Sequence, residues 1–559
     1  MLKLTKFLKP LDWIIVGIIM ILIGGQTYFD LFLPDRIQNI ISGFINQGLP
    51  SKPPLSQIWI EFIYILLFAF GSFMCMLLTA KASAYITGNY VAYISGNFFN
   101  HVNTFSQKEI DKFSIPSLIN RNTSDVAKTS QGLNMSLRLA IGAPASAIGG
   151  ILKIIFDQTG SNSSDGDTSK FALIVGCGLA IMIIVLSIVF VLIIPKFKKM
   201  QFLLDDLNNY ARENISGIRI VRAFNAQNFH SERFEEKNKA TYKTNVFANC
   251  IVSSGFPFIV TMMSIITLGI YWLGSYLLHI HDPHALELPA LIKFAMLATV
   301  IIGSFVKLVM LFFFVPSAII SGKRINEVFK TKNTIFSNEQ VGKKNIMGMV
   351  EFRNVSFKFH NAAEYTIKGI SFTIAKGQTL AIIGSTGSGK TAIVNLIPRL
   401  YDSNEGLISV DGVDIKKYNV RKLRDKIGFI PQKNFLFNAS VKENIAYGIS
   451  DKEDKVDIKK IKWACQVACA DEFVDKLSNK YDHTISQNAT NLSGGQKQRL
   501  AIARAIIREP EILIFDDSFS ALDTRTDKKV RDNIKKNLKN TTKIIVAQRI
   551  GTILDADKI

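Results

Sequence analysis

Six apolar runs, each long enough to cross a lipid bilayer, limit what the first 315 residues of this chain can form. A spanning helix needs about 20 mostly apolar residues, and in lipid its backbone amides must find partners within the protein. The first run is too long for a cleavable signal peptide and lacks a small-residue cleavage motif. We therefore predict a membrane domain at residues 1–315, with spans at 11–33, 57–80, 135–156, 171–195, 252–278 and 291–315.

Positive charge is distributed unevenly among the loops between these runs. The N-terminal arm and the long loops at 81–134 and 196–251 are rich in Lys and Arg, whereas the short loops carry only Arg36, Lys52 and Lys170. Because basic loops stay on the cytoplasmic side, we place the N-terminus, both long loops and everything after residue 316 in the cytoplasm. The same bias explains the net charge of +21 without a nucleic-acid partner.

The two long loops show helical spacing of apolar residues and few Gly or Pro, so they predict membrane helices that continue into the cytosol. Each loop has one place for a turn, at residues 112–119 and at residues 213–218. These tips either dock onto a cytosolic domain or are ordinary solvated hairpins.

Some charged residues lie within the spans, and we single out Asp30, Glu61, Lys153 and Lys307. Charged groups are costly in lipid, so each is expected to face a cavity, a polar partner or the membrane interface. Lys307 is the deepest of the four and lies among phenylalanines. It lines either a substrate path or a polar contact between helices.

Histidines and cysteines give little sign of a metal site or a disulfide framework. His279, His281 and His284 lack supporting carboxylates or thiols, which favours a solvated outer loop. Cys465 and Cys469 are four positions apart on a predicted helix, and we expect two small buried side chains.

A glycine-rich loop stands between the apolar strand at 380–383 and the helical run at 392–397. Its glycines let several backbone N–H groups turn toward a phosphate, at the positive end of the following helix. Its lysine can reach the outer phosphates and its threonine can ligate Mg²⁺. The sequence therefore predicts a nucleoside triphosphate site formed by Gly384, Ser385, Thr386, Gly387, Ser388, Gly389, Lys390 and Thr391.

Short strands surround this loop in the sequence, after a polar link at residues 316–349. Strands are predicted at 350–352, 355–357 and 370–374. In a further strand, at 511–517, four apolar residues are followed by Asp516, a candidate Mg²⁺ ligand. Another strand, at 543–547, ends beside Gln548. This alternation predicts an α/β domain at residues 350–559.

A second anion-binding device precedes the helical run at 500–508. A serine in position to cap the helix is followed by two glycines, which expose backbone N–H groups at a helix start. Its residues are Leu492, Ser493, Gly494, Gly495 and Gln496.

Both devices, with Gln432, Asp516 and the segment Ser520, Ala521, Leu522 and Asp523, resemble the nucleotide-binding domain of an ABC transporter. The six spans and two long loops resemble half of an ABC exporter. The resemblance implies an α-helical six-span membrane domain with long cytosolic extensions, followed by an α/β P-loop (RecA-like) ATPase domain with a helical subdomain.

Several roles follow only from this resemblance. Two halves pair, and two ATP molecules with Mg²⁺ lie between one half's phosphate loop and the other half's 492–496 segment. Phe359 would stack on adenine, and Gln432 would sense Mg²⁺ and contact the membrane helices. The tips at 113–118 and 213–218 would be coupling helices. Members usually continue beyond the position of Ile559, so the domain's far edge is expected to be incomplete.

Two departures from the family pattern fall at one site. Asp517 stands where the family has the Glu that acts as base, and Gln548 stands where it has His. The aspartate carboxylate is set back by one methylene, about 1.5 Å, and about 1 Å of misplacement can cost ~10²-fold in rate. Residues 486–489 also lack the family's usual Glu and Arg. We therefore expect a catalytically weak ATP site here, paired with a different chain that holds the strong site.

The favoured function is ATP-driven export of a small hydrophobic or amphipathic substrate, drug or lipid, across the plasma membrane of a bacterium. The alternatives are a homodimeric exporter with slow hydrolysis and a membrane-tethered regulatory ATP-binding protein. A DNA-associated ABC ATPase would lack the six spans. An importer is disfavoured because membrane and ATPase parts are fused in this order.

Overall fold

The membrane half is built from helices that continue well past their apolar runs. A computed structural model describes residues 10–45, 55–160, 165–279, 288–337, 347–360, 362–449 and 456–559. It forms two compact units, one of residues 1–99 with 118–329 and the other of residues 100–117 with 330–559. The helices up to residue 330 are α1 Pro10–Ile45, α2 Leu55–Asn103, α3 Gln107–Phe113, α4 Ile115–Asn120, α5 Val126–Gly160, α6 Asp165–Ser216, α7 Ile218–Ala223, α8 Gln227–His279 and α9 Leu288–Lys330, with a π-helical turn at Arg121–Asp125.

The predicted spans fall on long helices of this unit. Within the described residues, 5 helices are long and apolar enough to cross a membrane: α1, α2, the α4–α5 stretch, α8 and α9. The predicted fourth span, at 171–195, falls inside α6, where the apolar helical stretch found among those residues is the shorter Leu173–Val185. The membrane helices and their cytosolic extensions therefore form continuous rods, as the apolar spacing predicted.

The link predicted at residues 316–349 begins inside a helix. Helix α9 continues to Lys330 and contains Pro316, so the first part of the predicted link is helical. The reason is that Ala318, Ile325 and Val328 are buried at helical spacing, and their packing outweighs the cost of the proline. Residues 338–346 of that link lie outside the described part of the chain.

The chain breaks inside both predicted turns, and short helices lie at each tip. At the first tip the chain breaks at Ser114, with φ 62°, and the short helix α3 precedes this break. Ser106 and Glu109 begin α3 as a capping box, in which the Ser106 amide donates to Glu109 Oε2 at 3.0 Å. At the second tip α6 ends at Ser216, and α7 follows Gly217.

Three of the four charged residues singled out in the spans, Asp30, Glu61 and Lys153, have polar partners on other helices. Ser72 donates to Asp30 at 2.6 Å, and Glu61 accepts from Asn39 at 3.2 Å and pairs with Arg36 at 3.4 Å. Lys153 pairs with Asp35, which also binds Lys293 at 2.8 Å. Of the outer-loop histidines, His281 and His284 lie outside the described residues.

The second unit contains two four-stranded sheets. Strands β1 Val350–Phe357, β2 Ile367–Ile374, β4 Glu405–Val410 and β5 Val413–Asp414 form an antiparallel sheet in the order β2-β1-β4-β5. Strands β3 Thr379–Ile382, β6 Ile427–Ile430, β7 Ile512–Asp516 and β8 Thr542–Val546 form a parallel sheet in the order β3-β8-β7-β6. The two strands predicted at 350–352 and 355–357 are one strand, β1, with an irregularity in its pairing.

Helices cover the parallel sheet and form the helical subdomain. Strands β7 and β8 are buried along their whole length, as expected of a parallel sheet with both faces covered. Cys465 and Cys469 are buried in the core, and burial raises the pKa of the Cys465 thiol to about 12, so both are packing residues, as predicted. The helices are α10 Lys390–Leu396, α11 Val420–Asp425, α12 Val441–Ala446, α13 Ile458–Val467, α14 Asp471–Val474, α15 Gly494–Ile506 and α16 Thr524–Asn537.

A buried carboxylate ties the two sheets together. Asp411, fully buried after β4, accepts from the Gly348 amide at 2.7 Å and from Lys426 at 2.6 Å. Lys426 precedes β6 and also pairs with Glu511 at 2.8 Å, just before β7. One lysine thus neutralises two acids at the junction of the sheets.

We predict that Lys426→Met destabilises the second unit strongly, because it leaves the Asp411 carboxylate buried without its cation. The expected loss is about 3 kcal/mol, or roughly 6–12 °C in melting temperature for a domain of this size. Thermal unfolding of the full chain measures it. Arg353→Met, which breaks the exposed pair with Glu351, is the control and should leave the melting temperature unchanged. An equal effect of the two substitutions would contradict the role assigned to Lys426.

Candidate nucleotide site

The glycine loop joins β3 to α10 and adopts a conformation that its glycines make possible. Gly387 and Gly389 have φ of 86° and 88°, and a Cβ on Gly389 would lie 2.9 Å from the Thr366 carbonyl oxygen. Lys390 is buried, and its Nζ donates to the carbonyl oxygens of Gly384 and Ser385 at 2.7 Å each. The loop therefore surrounds its own lysine, with the start of a helix behind it, as a phosphate-binding loop requires.

Two of the three predicted metal ligands meet at the end of the parallel sheet. The Thr391 hydroxyl, at the start of α10, donates to Asp516 Oδ1 at 2.9 Å. Asp516 is the last residue of β7 and is buried, which raises the pKa of its carboxyl, while the hydrogen bond from Thr391 acts in the opposite direction. A hydroxyl and a carboxylate are the oxygen ligands that Mg²⁺ prefers, so this pair fits the ion.

Asp517 lies at the centre of a second group of side chains. Its Oδ2 accepts from Gln432 Nε2 at 3.4 Å and from Gln548 Nε2 at 3.2 Å. Asp517 has φ 49°, and its amide donates to the Val546 carbonyl at 3.1 Å, which links the ends of β7 and β8. The residues predicted as catalytic, Asp517 and Gln548, are thus in direct contact, and Gln432 joins them.

The second anion-binding device is a capped helix start. Helix α15 begins at Gly494, and the Gln496 amide donates to Ser493 Oγ at 3.3 Å while Ser493 N–H donates to Gln496 Oε1 at 2.9 Å. Leu492 is buried and anchors the segment. This reciprocal capping fixes the two glycines, so that Gly494 and Gly495 present bare backbone at the helix N-terminus.

The segment 520–523 packs against these glycines and beside Asp517. A Cβ on Gly495 would lie 3.2 Å from the Ala521 carbonyl oxygen. The Ser520 hydroxyl donates to the Asp517 carbonyl at 2.9 Å, and Asp523 caps α16 by accepting from the Thr526 amide at 3.0 Å. The segment therefore links Asp517 to the capped helix start.

Arg549 holds the same segment from the other side, and the sequence reasoning missed it. Its guanidinium donates to the Ser520 carbonyl at 3.1 Å and to the Leu522 carbonyl at 3.3 Å. The sequence held one sign of this role: Arg549 directly follows Gln548 at the end of a strand, and from there a guanidinium can donate hydrogen bonds to neighbouring loops.

Phe359 lies in a cavity of about 220 Å³ beside helix α3. Its partly exposed ring makes edge contacts with Phe357 and Tyr401, at centroid distances of 4.9 and 5.4 Å. Tyr401 donates its hydroxyl to Asp111 of α3 at 2.8 Å. Phe359, which is predicted to stack on adenine, is therefore connected to the first loop tip through Tyr401. The sequence did not single out Tyr401. Gln432, which is predicted to contact the membrane helices, hydrogen-bonds to Asp517.

The segment 486–489 makes local contacts with the capped helix start. The Ser486 hydroxyl donates to Asn491 Oδ1 at 2.9 Å, and Lys497 of α15 donates to the Asn488 carbonyl at 3.0 Å. The segment is thus tied to α15 without the Glu and Arg that the family usually has.

Comparison with known proteins gives the same assignment for both halves. The ABC transporter transmembrane region matches residues 14–305, and the ABC transporter domain matches residues 367–520. The chain is 31% identical over 565 residues to the uncharacterized ABC transporter ATP-binding protein YfiB of Bacillus subtilis, with 100% of this chain and 93% of YfiB covered. It is 33% identical over 519 residues to the putative ABC transporter ATP-binding protein MG014 of Mycoplasma genitalium, with 90% and 81% covered.

A solved structure of a bacterial Atm1-family ABC exporter with ATP bound has the same fold. Its TM-score is 0.77 at 22% identity, with 98% of this chain and 92% of that chain covered. The expected fold class, a helical membrane domain fused to an α/β nucleotide-binding domain, is confirmed. The chain belongs to the ABC transporter family, with a transmembrane region fused to a nucleotide-binding domain that implies ATP binding.

Proposed function

We propose that this chain is one half of a heterodimeric exporter of a hydrophobic or amphipathic substrate, and that its own ATP site is catalytically weak. The observation that carries the proposal is the contact of Asp517 with both Gln432 and Gln548. Asp517 stands where an active site needs the longer glutamate as general base, and Gln548 stands where it needs histidine.

Binding of ATP and Mg²⁺ is assigned to residues that fit both. The loop 384–391 would hold the phosphates, with Lys390 neutralising the outer ones, and the exposed face of Phe359 would stack on the base. Thr391 and Asp516 would hold Mg²⁺, with Gln432 beside them. When bound, the ion neutralises charge that develops on the transferred phosphoryl group. These parts are intact, so tight binding is expected.

Hydrolysis requires a base within hydrogen-bond reach of the attacking water. Asp517 is one methylene shorter than glutamate, and its Oδ2 is already engaged by two amide donors. Gln548 can donate a hydrogen bond but cannot share a proton as histidine does. Both differences lower the rate of the chemical step and leave the binding of ATP unaffected.

The capped segment 492–496 is complete, in contrast to the site around Asp517. In an exporter dimer this segment acts on the nucleotide held by the other half. The intact segment of this chain would therefore serve the ATP site of its partner. Because the site of this chain is weak, we expect the partner to be a different chain with a complete ATP site.

Restoring the two side chains should raise ATP turnover of this chain purified alone. We expect Asp517→Glu with Gln548→His to increase the rate by about 10- to 100-fold, because the carboxylate regains about 1.5 Å of reach. Phosphate release in detergent or nanodiscs measures it. Lys390→Ala in the double variant is the control and should abolish the gain. Brisk hydrolysis by the unaltered chain alone, lost on Asp517→Ala, would establish the homodimeric alternative instead.

Asymmetry should be visible when the chain is co-purified with the half-transporter encoded by a neighbouring gene. Gly495→Asp places negative charge where the partner's nucleotide would lie, so we expect turnover of the pair to fall by about 100-fold. Asp517→Asn should change it less than about threefold, since turnover occurs at the other site. If Asp517→Asn is the more damaging substitution, the weak site is wrongly assigned.

Transport separates an exporter from a membrane-tethered regulator. The paired proteins reconstituted in vesicles should move a fluorescent amphiphile only when ATP is present. The contacts of Tyr401 and Thr334 with α3, at 2.8 Å each, support such coupling because they join the nucleotide-binding domain and the link before it to a cytosolic loop. ATP binding without any ATP-dependent movement would favour the regulator.

A further inference from the structure

A cavity of about 160 Å³ within the membrane unit lies between helices α1, α2, α5 and α9. Its walls combine apolar side chains, such as Met76 and Leu139, with polar ones, and two of the polar residues are the cations Arg138 and Lys307. It is separate from the nucleotide site and belongs wholly to the first unit. The lining carries two positive charges and no acidic residue among the residues that the structure describes.

These two cations differ from Arg36, Lys153 and Lys293, which have acidic partners. Lys153 and Lys293 share Asp35, and Arg36 pairs with Glu61. By contrast, within the described ranges neither Arg138 nor Lys307 has a carboxylate within salt-bridge distance. An unneutralised charge at membrane depth is costly, and such residues characteristically face a cavity or a pathway.

A third polar group in the cavity points to a ligand independently of charge. Thr79 is only 4% exposed, lines the cavity, and its Oγ1 has no hydrogen-bond partner among the described residues. A buried hydroxyl that lacks a partner costs free energy that a bound acceptor recovers. Gln26 and Thr27 add further donors to the same walls.

The depth of the cavity suits a molecule that occupies the bilayer. Lys293 and Asp35 form the ion pair at the beginning of α9, and Lys307 follows on the same helix about 21 Å along its axis, at ~1.5 Å per residue. That distance places Lys307 well inside a hydrocarbon core of about 30 Å. A ligand held there has part of its surface among apolar side chains and its polar group at the cations.

We propose that this cavity binds the anionic head group, phosphate or carboxylate, of an amphipathic substrate, with Arg138 and Lys307 as its counter-charges and Thr79 as a hydrogen-bond donor. This proposal deepens the export function proposed above and rests on it for the direction of transport. It selects acidic amphiphiles from the wider class of hydrophobic and amphipathic molecules. Arginine matches the planar or forked oxygens of such groups, and lysine supplies a point charge.

Binding can be measured without ATP turnover. The full chain, in nanodiscs of neutral phosphatidylcholine, is dialysed against labelled dodecyl phosphate, dodecanoate or the neutral dodecyl maltoside, with empty nanodiscs subtracted. We expect saturable binding of at least one of the two anions and none of the maltoside. Comparison of the anions identifies whether phosphate or carboxylate is the preferred head group.

Substitutions localise the binding to the cavity. Lys307→Met and Arg138→Met should each weaken binding by about tenfold or more, the value of one charge-assisted hydrogen bond. Lys307→Arg keeps the charge and should retain most of the affinity. Thr79→Val preserves shape and packing and should also weaken binding, so the test does not depend on variants that lose a charge.

The matched control is Lys81→Met, which removes an exposed cation two positions after Thr79 on the same helix. It should leave binding unchanged. Equal binding of maltoside and anions overturns the proposal, as does unchanged binding in Lys307→Met and Arg138→Met, or an equal loss in Lys81→Met.

The outcomes also distinguish this site from the export function. If vesicles show ATP-driven movement of a neutral amphiphile and the anions do not bind, the anion site is wrong and the exporter stands. If the anions bind with the expected pattern of variants but no amphiphile moves with ATP, the site stands and the exporter is wrong.

Discussion

Parallel pairing of three strands is the constraint on which the nucleotide site depends. Register places Ile382 of β3 opposite Val546 of β8, and Val546 opposite Asp516 of β7. Because the strands are parallel, their carboxyl ends meet at one edge. The glycine loop, the acidic pair at 516–517 and Gln548 come from distant parts of the sequence, and they become neighbours only because these strands pair.

The membrane half obeys a different constraint, the cost of polar groups in lipid. Its helices satisfy their own backbones, and most charged side chains within the apolar stretches meet a partner on another helix. Asp35 serves both Lys153 and Lys293 at one level. The cavity at Lys307 differs, because among the described residues no carboxylate of the chain neutralises its cations. We propose that a bound anion does so instead.

Sequence patterns located the elements of the site well where the chemistry is local. The glycine loop, the capped helix start at Ser493 and the acidic end of β7 each carry their signal within a few residues. Boundaries were less predictable. The end of α9 depends on how Ile325 and Val328 pack, and the position of α3 depends on the Ser106–Glu109 capping box, whose S-x-x-E signature was present in the sequence but not used. Arg549 and Tyr401 were missed because their partners, Ser520 and Asp111, are distant from them in the sequence.

The sequence by itself determined that the chain has apolar helices of membrane length, a phosphate-binding loop, an aspartate at position 517 and a glutamine at position 548. These properties depend on residue type and short-range spacing, which tertiary packing does not change. Only the tertiary structure decided that Asp517 is shared by two glutamines, that Tyr401 reaches α3, and that Lys307 and Arg138 line one cavity while Lys153 is neutralised. Those facts depend on distances between side chains on separate elements, and such distances are fixed by packing rather than by position in the sequence.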